Sequence, residues 1–203
     1  MNNTYFVTGI GTGIGKTIVS AIITEKLQAD YWKPIQSGDL DNSDSLKIES
    51  LISNANTVIH PEGFKLTEPL SPHLSAKIDS VALSIQKLST PKTDSTLIIE
   101  GAGGLMVPLN EEELMIDYIK SLNIKVILVS QNYLGSINHT LLSIEALKYR
   151  GIELKGIIFN GTANQETERY IKQYSKATVI GHIPSLPTLN KETIRQAGQY
   201  LEL

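Results

Sequence analysis

The chain has 203 residues, of which 41% are hydrophobic and 19% charged, and a formal charge of -3. Such a chain is long enough for a large core, and one domain spanning residues 1–203 is expected. The lack of cysteine excludes disulfides, thiolate metal sites and cysteine nucleophiles, and the mild acidity argues against broad affinity for nucleic acid. Met1-Asn2-Asn3 leads straight into the first apolar run, without a basic or long apolar leader. Neither a signal peptide nor a membrane span is expected, and the expected location is the cytoplasm.

The first predicted element is a strand from Thr4 to Gly9. Glycines at 9, 11, 13 and 15 follow, then Lys16-Thr17 and a helical pattern with Ile18, Val19, Ile22, Ile23 and Leu27 on one face. Strand, glycine loop, Lys-Thr and helix together describe a phosphate cradle. Glycines let several N–H groups converge on one anion, and the helix N-terminus adds positive potential. Lys16 can reach the outer phosphates and the Thr17 hydroxyl can ligate Mg²⁺. The loop is longer than usual, with five residues between Gly9 and Gly15 rather than four.

Asp30 to Ile35 reads as a second strand ending at Pro34, after which Gln36-Ser37-Gly38 turns away. Asn42 or Ser43 caps a helix to about Ile52. Residues 54–67 look irregular, Glu68 to His73 forms a turn that opens a short helix, and Ser80 to Leu88 has a helical pattern. Thr96 to Ile99 is a buried strand followed by Glu100-Gly101-Ala102-Gly103-Gly104. A helix from Glu111 to Ser121, a strand from Lys125 to Ser130, and a helix from Ile137 to Tyr149 stopped by Gly151 follow. Then come a strand from Leu154 to Asn160, a helix from Gln165 to Tyr174, a strand from Thr178 to Ile180 and a closing helix from Thr193 to Leu201.

This alternation predicts an α/β chain with a mostly parallel sheet and helices on both faces, the three-layer arrangement of P-loop nucleoside triphosphatases. Ligands in such sheets sit beyond the carboxyl ends of the strands. Those ends carry Gly9 to Thr17, Lys33 to Ser37, Glu100 to Gly104, Ser130-Gln131 and Asn160-Gly161, so one shared site is expected. A nucleotide phosphate chain needs a metal with oxygen ligands. Glu100, at the end of an apolar strand, suits Mg²⁺ bound directly or through water, or a strand-end acid in solvent. Asp44 suits either a ligand or a first-turn acid matching the helix dipole. Lys33 is either a surface group or, beside Lys16, a second point charge for phosphoryl transfer. The four histidines show no metal-ligand spacing.

Read together, several motifs resemble the dethiobiotin synthetase family. They are Thr8-Gly9 with Gly15-Lys16-Thr17, Lys33-Pro34-Ile35-Gln36-Ser37-Gly38, Asn42-Ser43-Asp44, Glu68 to His73, Glu100 to Gly104, Gly135 to His139, Asn160, and Gly181-His182-Ile183-Pro184. They follow the family's order over nearly the whole chain. The resemblance implies that 7,8-diaminopelargonate, CO₂ (as bicarbonate) and MgATP give dethiobiotin, ADP and phosphate. A carbamate and a carbamic-phosphoric anhydride would be the intermediates. By the same resemblance Gly13, Ile14, Gly15, Lys16, Thr17 and Ile18 cradle the phosphates, with Gly101, Ala102 and Gly103 beside them. Thr17, Asp44 and Glu100 hold Mg²⁺, Lys16 and Lys33 stabilise developing charge, and Ser37 meets the substrate. Asn160, Gly161, Ile183 and Pro184 flank the adenine. Gly135, Ser136, Ile137 and Asn138 receive the substrate's distant carboxylate from the partner subunit of a homodimer. Gly11 stands where family members often carry an acid, and the match fades after Pro184. The alternative is a partitioning-type ATPase working as a nucleotide switch, which would carry a signature lysine early in the loop, where Gly11 stands.

Overall fold

The computed structural model describes residues 4–203, so the Met1-Asn2-Asn3 lead lies outside the described residues. Seven strands form the main sheet: β1 (Thr4–Gly9), β2 (Asp30–Trp32), β4 (Ile59–His60), β6 (Leu97–Gly104), β7 (Lys125–Gln131), β8 (Leu154–Asn160) and β9 (Val179–Ile183). Their order across the sheet is β4-β2-β6-β1-β7-β8-β9, and every ladder between them is parallel. Two short strands, β3 (Ile35–Ser37) and β5 (Phe64–Leu66), pair in a separate ribbon.

Helices cover both faces, as the strand composition requires. Alternate residues on the central strands point to opposite layers. Val7, Ile98, Ile127 and Ile158 meet the helices α1 (Lys16–Leu27), α2 (Asp44–Leu51) and α7 (Lys191–Ala197). Phe6, Ile99 and Val126 meet α4 (Met115–Leu122) and the far end of α5 (Ser136–Tyr149), while Leu128, Ile157 and Phe159 meet α5 and α6 (Gln165–Ser175). Both faces are buried, hence the unbroken apolar runs. A seventh helix, α3 (Pro72–Ile78), lies near the ribbon. Among the described residues no helix is long and apolar enough to cross a membrane.

Several expected elements are redrawn. The run from Asp30 to Ile35 divides around Lys33-Pro34, and Gln36-Ser37 belongs to β3 rather than to a turn. The region expected to be irregular supplies β4 and β5, whose bonds come from distant partners. Ser80 to Leu88 forms only a 3₁₀ turn at Ile85–Lys87; Leu83 and Leu88 are buried in the core, and Ile85 N–H donates to the Glu113 carboxylate instead of to a helical carbonyl. The helix expected from Glu111 starts at Met115, because the Asn110 side chain accepts from the N–H groups of Glu112 and Glu113 and folds them into a turn. The closing helix begins earlier, at Lys191 with an Asn190 cap, and ends at Ala197 in a 3₁₀ turn. Helix α1 is buried on more than one face: Ser20, Ala21, Thr24 and Glu25 are covered as well, because α2 and α7 flank it.

Candidate active site

The glycine loop between β1 and α1 sets the geometry. Gly15 has φ 87 and hands over to Lys16 without a side-chain cap, so the first N–H groups of α1 face outward for an anion. A Cβ on Gly15 would lie 2.2 Å from the Asn160 amide nitrogen. That amide, at the end of β8, donates to the Ile14 carbonyl at 3.0 Å. The Ile14 side chain itself is buried in the core beneath the loop.

Four charged groups converge beside this loop. The Thr17 hydroxyl lies 2.9 Å from Asp44 Oδ1 and 3.0 Å from Glu100 Oε1. Its single proton serves only one of them at a time. Lys33 Nζ lies 2.6 Å from Asp44 Oδ2, 3.2 Å from Glu100 Oε1 and 3.2 Å from the Gly101 carbonyl. The Tyr31 hydroxyl donates to Glu100 Oε2 at 3.1 Å. Lys16 Nζ donates to the Gly11 carbonyl at 3.0 Å. Helix α2 presents Asp44 because Ser43 caps it and the Gln36 amide oxygen accepts the Asp44 N–H.

Burial and neighbouring charges together set the charge states. It pulls the Lys16 ammonium from its ordinary value down to about 8; Glu100 and Asp44 oppose the fall and Lys33 adds to it. Burial also works against the Lys33 ammonium, but the carboxylates of Glu100 and Asp44 outweigh it and hold Lys33 above the ordinary lysine value. Asp44 shows the reverse balance: burial opposes its charge, and Lys33 more than compensates, with Thr17 helping, so its carboxyl sits below the usual range.

A cleft of about 840 Å³ opens over these groups, lined by Gly13, Gly15, Lys16, Thr17, Ile18, Lys33, Ser37, Asp44, Glu100, Ala102 and Gly103 among the expected residues. Gly101 contributes its carbonyl to Lys33. The Ser37 hydroxyl is buried and lacks a hydrogen-bond partner, which leaves it free for a polar ligand. Asn160, Gly161, Ile183 and Pro184 do not line this cleft; Asn160 touches the glycine loop through its bond to the Ile14 carbonyl. Next to Asn160, Gly161 N–H donates to the Ile183 carbonyl; the Ile183 side chain is fully buried and Pro184 is half-buried. Gly135 and Ile137 do not share the cleft. With Leu134 they line a separate depression of about 420 Å³ between β7–α5 and β8–α6. Ser136 is buried there, its hydroxyl accepting from Tyr133 N–H, and Asn138 is exposed.

Three features of the site were not expected from the sequence: the Tyr31 hydroxyl, the Gln36 amide and Lys47, which lines the same cleft. Lys47, three positions after Asp44, shares its helix face, a spacing that could have revealed it. No local pattern marks the other two.

The donor set suits Mg²⁺. Among the described residues no cluster of three His, Asp or Glu side chains stands ready to hold a metal alone. One hydroxyl and two carboxylates flank the loop instead, and Mg²⁺ is commonly held by one or two carboxylates together with substrate phosphates.

A family model described as AAA domain matches residues 3–193. The chain is 53% identical to the ATP-dependent dethiobiotin synthetase BioD of Christiangramia forsetii over 199 residues, 98% of this chain and 96% of that one. It is 46% identical to the protein of the same name from Cytophaga hutchinsonii, over 94% of this chain and 92% of the other. Among solved structures it resembles the cell division ATPase MinD of Pyrococcus furiosus, with a TM-score of 0.60, 15% identity and 98% of both chains covered. The ParA family ATPase of Chlorobium tepidum gives a TM-score of 0.57 and 12% identity over 99% of this chain and 100% of that one. At such identities the solved structures speak for the fold alone. The near-full-length relatives settle the family: the chain belongs to the ATP-dependent dethiobiotin synthetases.

Proposed function

We propose that this chain closes the ureido ring of dethiobiotin from 7,8-diaminopelargonate and CO₂ at the expense of ATP. One amine of the diamine takes up CO₂ as a carbamate. The carbamate oxygen attacks the γ-phosphorus of ATP, ADP leaves, and a carbamic-phosphoric anhydride forms. The second amine then attacks the carbamoyl carbon, phosphate departs, and the ring closes with loss of a proton. Substrate atoms supply every nucleophile, so the protein's share is positioning and electrostatics.

The observation that carries this reading is the convergence of Lys33 and Lys16 with the Thr17, Asp44 and Glu100 oxygens under one cleft. Lys33 is held charged where negative charge develops on the carbamate and the moving phosphoryl group. Lys16 needs only to leave the Gly11 carbonyl to reach the phosphates. Thr17, Asp44 and Glu100 would hold Mg²⁺, which when bound neutralises phosphate charge. Ser37 would meet the diamine end of the substrate, and Asn160, Gly161, Ile183 and Pro184 would border the base. The Gly135 to Asn138 segment lies outside the phosphate cleft of its own chain, beside the fully exposed Leu134. Such a placement suits a homodimer in which this segment serves the partner's cleft.

The test is product formation. Purified protein given diaminopelargonate, bicarbonate, Mg²⁺ and ATP is expected to yield dethiobiotin by mass spectrometry, and to yield none when any one of them is withheld. Absence of product with all four present would overturn the assignment. The switch-ATPase alternative is disfavoured by Gly11, which stands where such proteins would carry their signature lysine.

A further inference from the structure

The two oxygens of Glu100 have separate partners. Oε1 meets Thr17 and Lys33, whereas Oε2 accepts from the Tyr31 hydroxyl at 3.1 Å. Tyr31 is fully buried, in the layer of core that holds Val7, Ile98 and α1. The register explains the meeting. Tyr31 is level with Ile98 on the adjoining strand β6, and Glu100 stands two residues further on, on the same face. Lys33, two residues beyond Tyr31, lies near that face as well. The terminal torsion of a glutamate is broad and roughly two-fold, so the plane of the carboxylate is set by its partners. At Oε2 that partner is a rigid phenol locked in the core.

We propose that Tyr31 is a positioning residue for the metal: its hydroxyl fixes the plane of Glu100 so that Oε1 is turned toward the Thr17 side of the cleft, where the two residues would hold the cation. This rests on the reading of the cleft as a magnesium–nucleotide site. Outer-shell partners of this kind cost about 10–100-fold in metal affinity or activity when removed.

Tyr31→Phe keeps the ring and deletes only the bond. Mn²⁺ binding to the ADP-loaded protein, followed by electron paramagnetic resonance, is expected to weaken by about 10–100-fold. The KM for the diamine is expected to stay within about two-fold of the parent, since Tyr31 acts only through Glu100. A melting curve of the metal-free variant measures the structural contribution separately. Mn²⁺ affinity equal to the parent's, whatever the melting midpoint does, overturns the role of Tyr31 while leaving the site reading intact. Parallel loss of Mn²⁺ affinity and of diamine affinity also overturns it, because that marks general loosening. A parent protein that binds no Mn²⁺ with ADP overturns the metal reading itself, and the role of Tyr31 with it.

Discussion

Lys33 shows how much of the site depends on single side chains. A buried ammonium between Asp44 and Glu100 is stable because two carboxylates face it. Removing it leaves those carboxylates as unpaired like charges and deletes the cation nearest the proposed carbamate. Lys33→Ala and Lys16→Ala are each expected to lower kcat by about 10²–10³, the loss typical of one electrostatic donor. Steady-state rates checked against circular dichroism of the same variants test this, and a near-normal rate in Lys33→Ala would remove it from the mechanism. Gly15→Ala is expected to abolish nucleotide binding by titration calorimetry, since its Cβ would strike Asn160 and its φ of 87 disfavours any side chain. At this scale the sequence was partly legible. The Gly15-Lys16-Thr17 run announces itself through local spacing, but a lone lysine in the setting of Lys33 is more often a surface group. Tyr31 could not be found that way at all, because the partner that gives its hydroxyl a task lies 69 positions away.

At the level of elements, the helix behind the glycine loop is fastened at its far end. Glu25 of α1 accepts from the Ser53 N–H and hydroxyl and from the Asn54 N–H and side-chain amide. Burial opposes the charge, but these hydrogen bonds outweigh it and hold the Glu25 carboxyl below its ordinary value. A folded-state value below the unfolded one gives stability that is present above the unfolded value and is lost as pH falls through the folded one. Glu25→Gln is therefore expected to be less stable than the parent at neutral pH, by up to about 1 kcal/mol once solvent screening is allowed for. The difference should shrink as pH falls below about 4. Melting curves of both proteins across that range test the sign; a constant gap would contradict it. The long helices and central strands followed from hydrophobic periodicity. The ribbon β3–β5 and the turn at Ile85–Lys87 did not, because their hydrogen bonds and buried side chains depend on segments distant in sequence.

At the scale of the whole molecule, the fold brings strand ends from separate stretches of the chain to one rim. The same layered sheet occurs in a cell division ATPase and a ParA family ATPase of 12–15% identity, so architecture alone does not choose the reaction; the groups at the rim do. The proposed homodimer, in which the segment at Gly135 and Ile137 serves the partner's cleft, is open to a direct test. Sedimentation is expected to give twice the chain mass of 22.3 kDa. Leu134→Glu is expected to shift the protein toward single chains and to raise the KM for the diamine. A fully active single chain would contradict the shared site. The cleft's two ammonium groups and two carboxylates are proposed to serve ring closure rather than idle nucleotide turnover. The most direct check is the ratio of phosphate released to dethiobiotin formed. One phosphate is expected for each ring, with almost no release without the diamine; equal phosphate release with and without it would rule out coupling to ring closure.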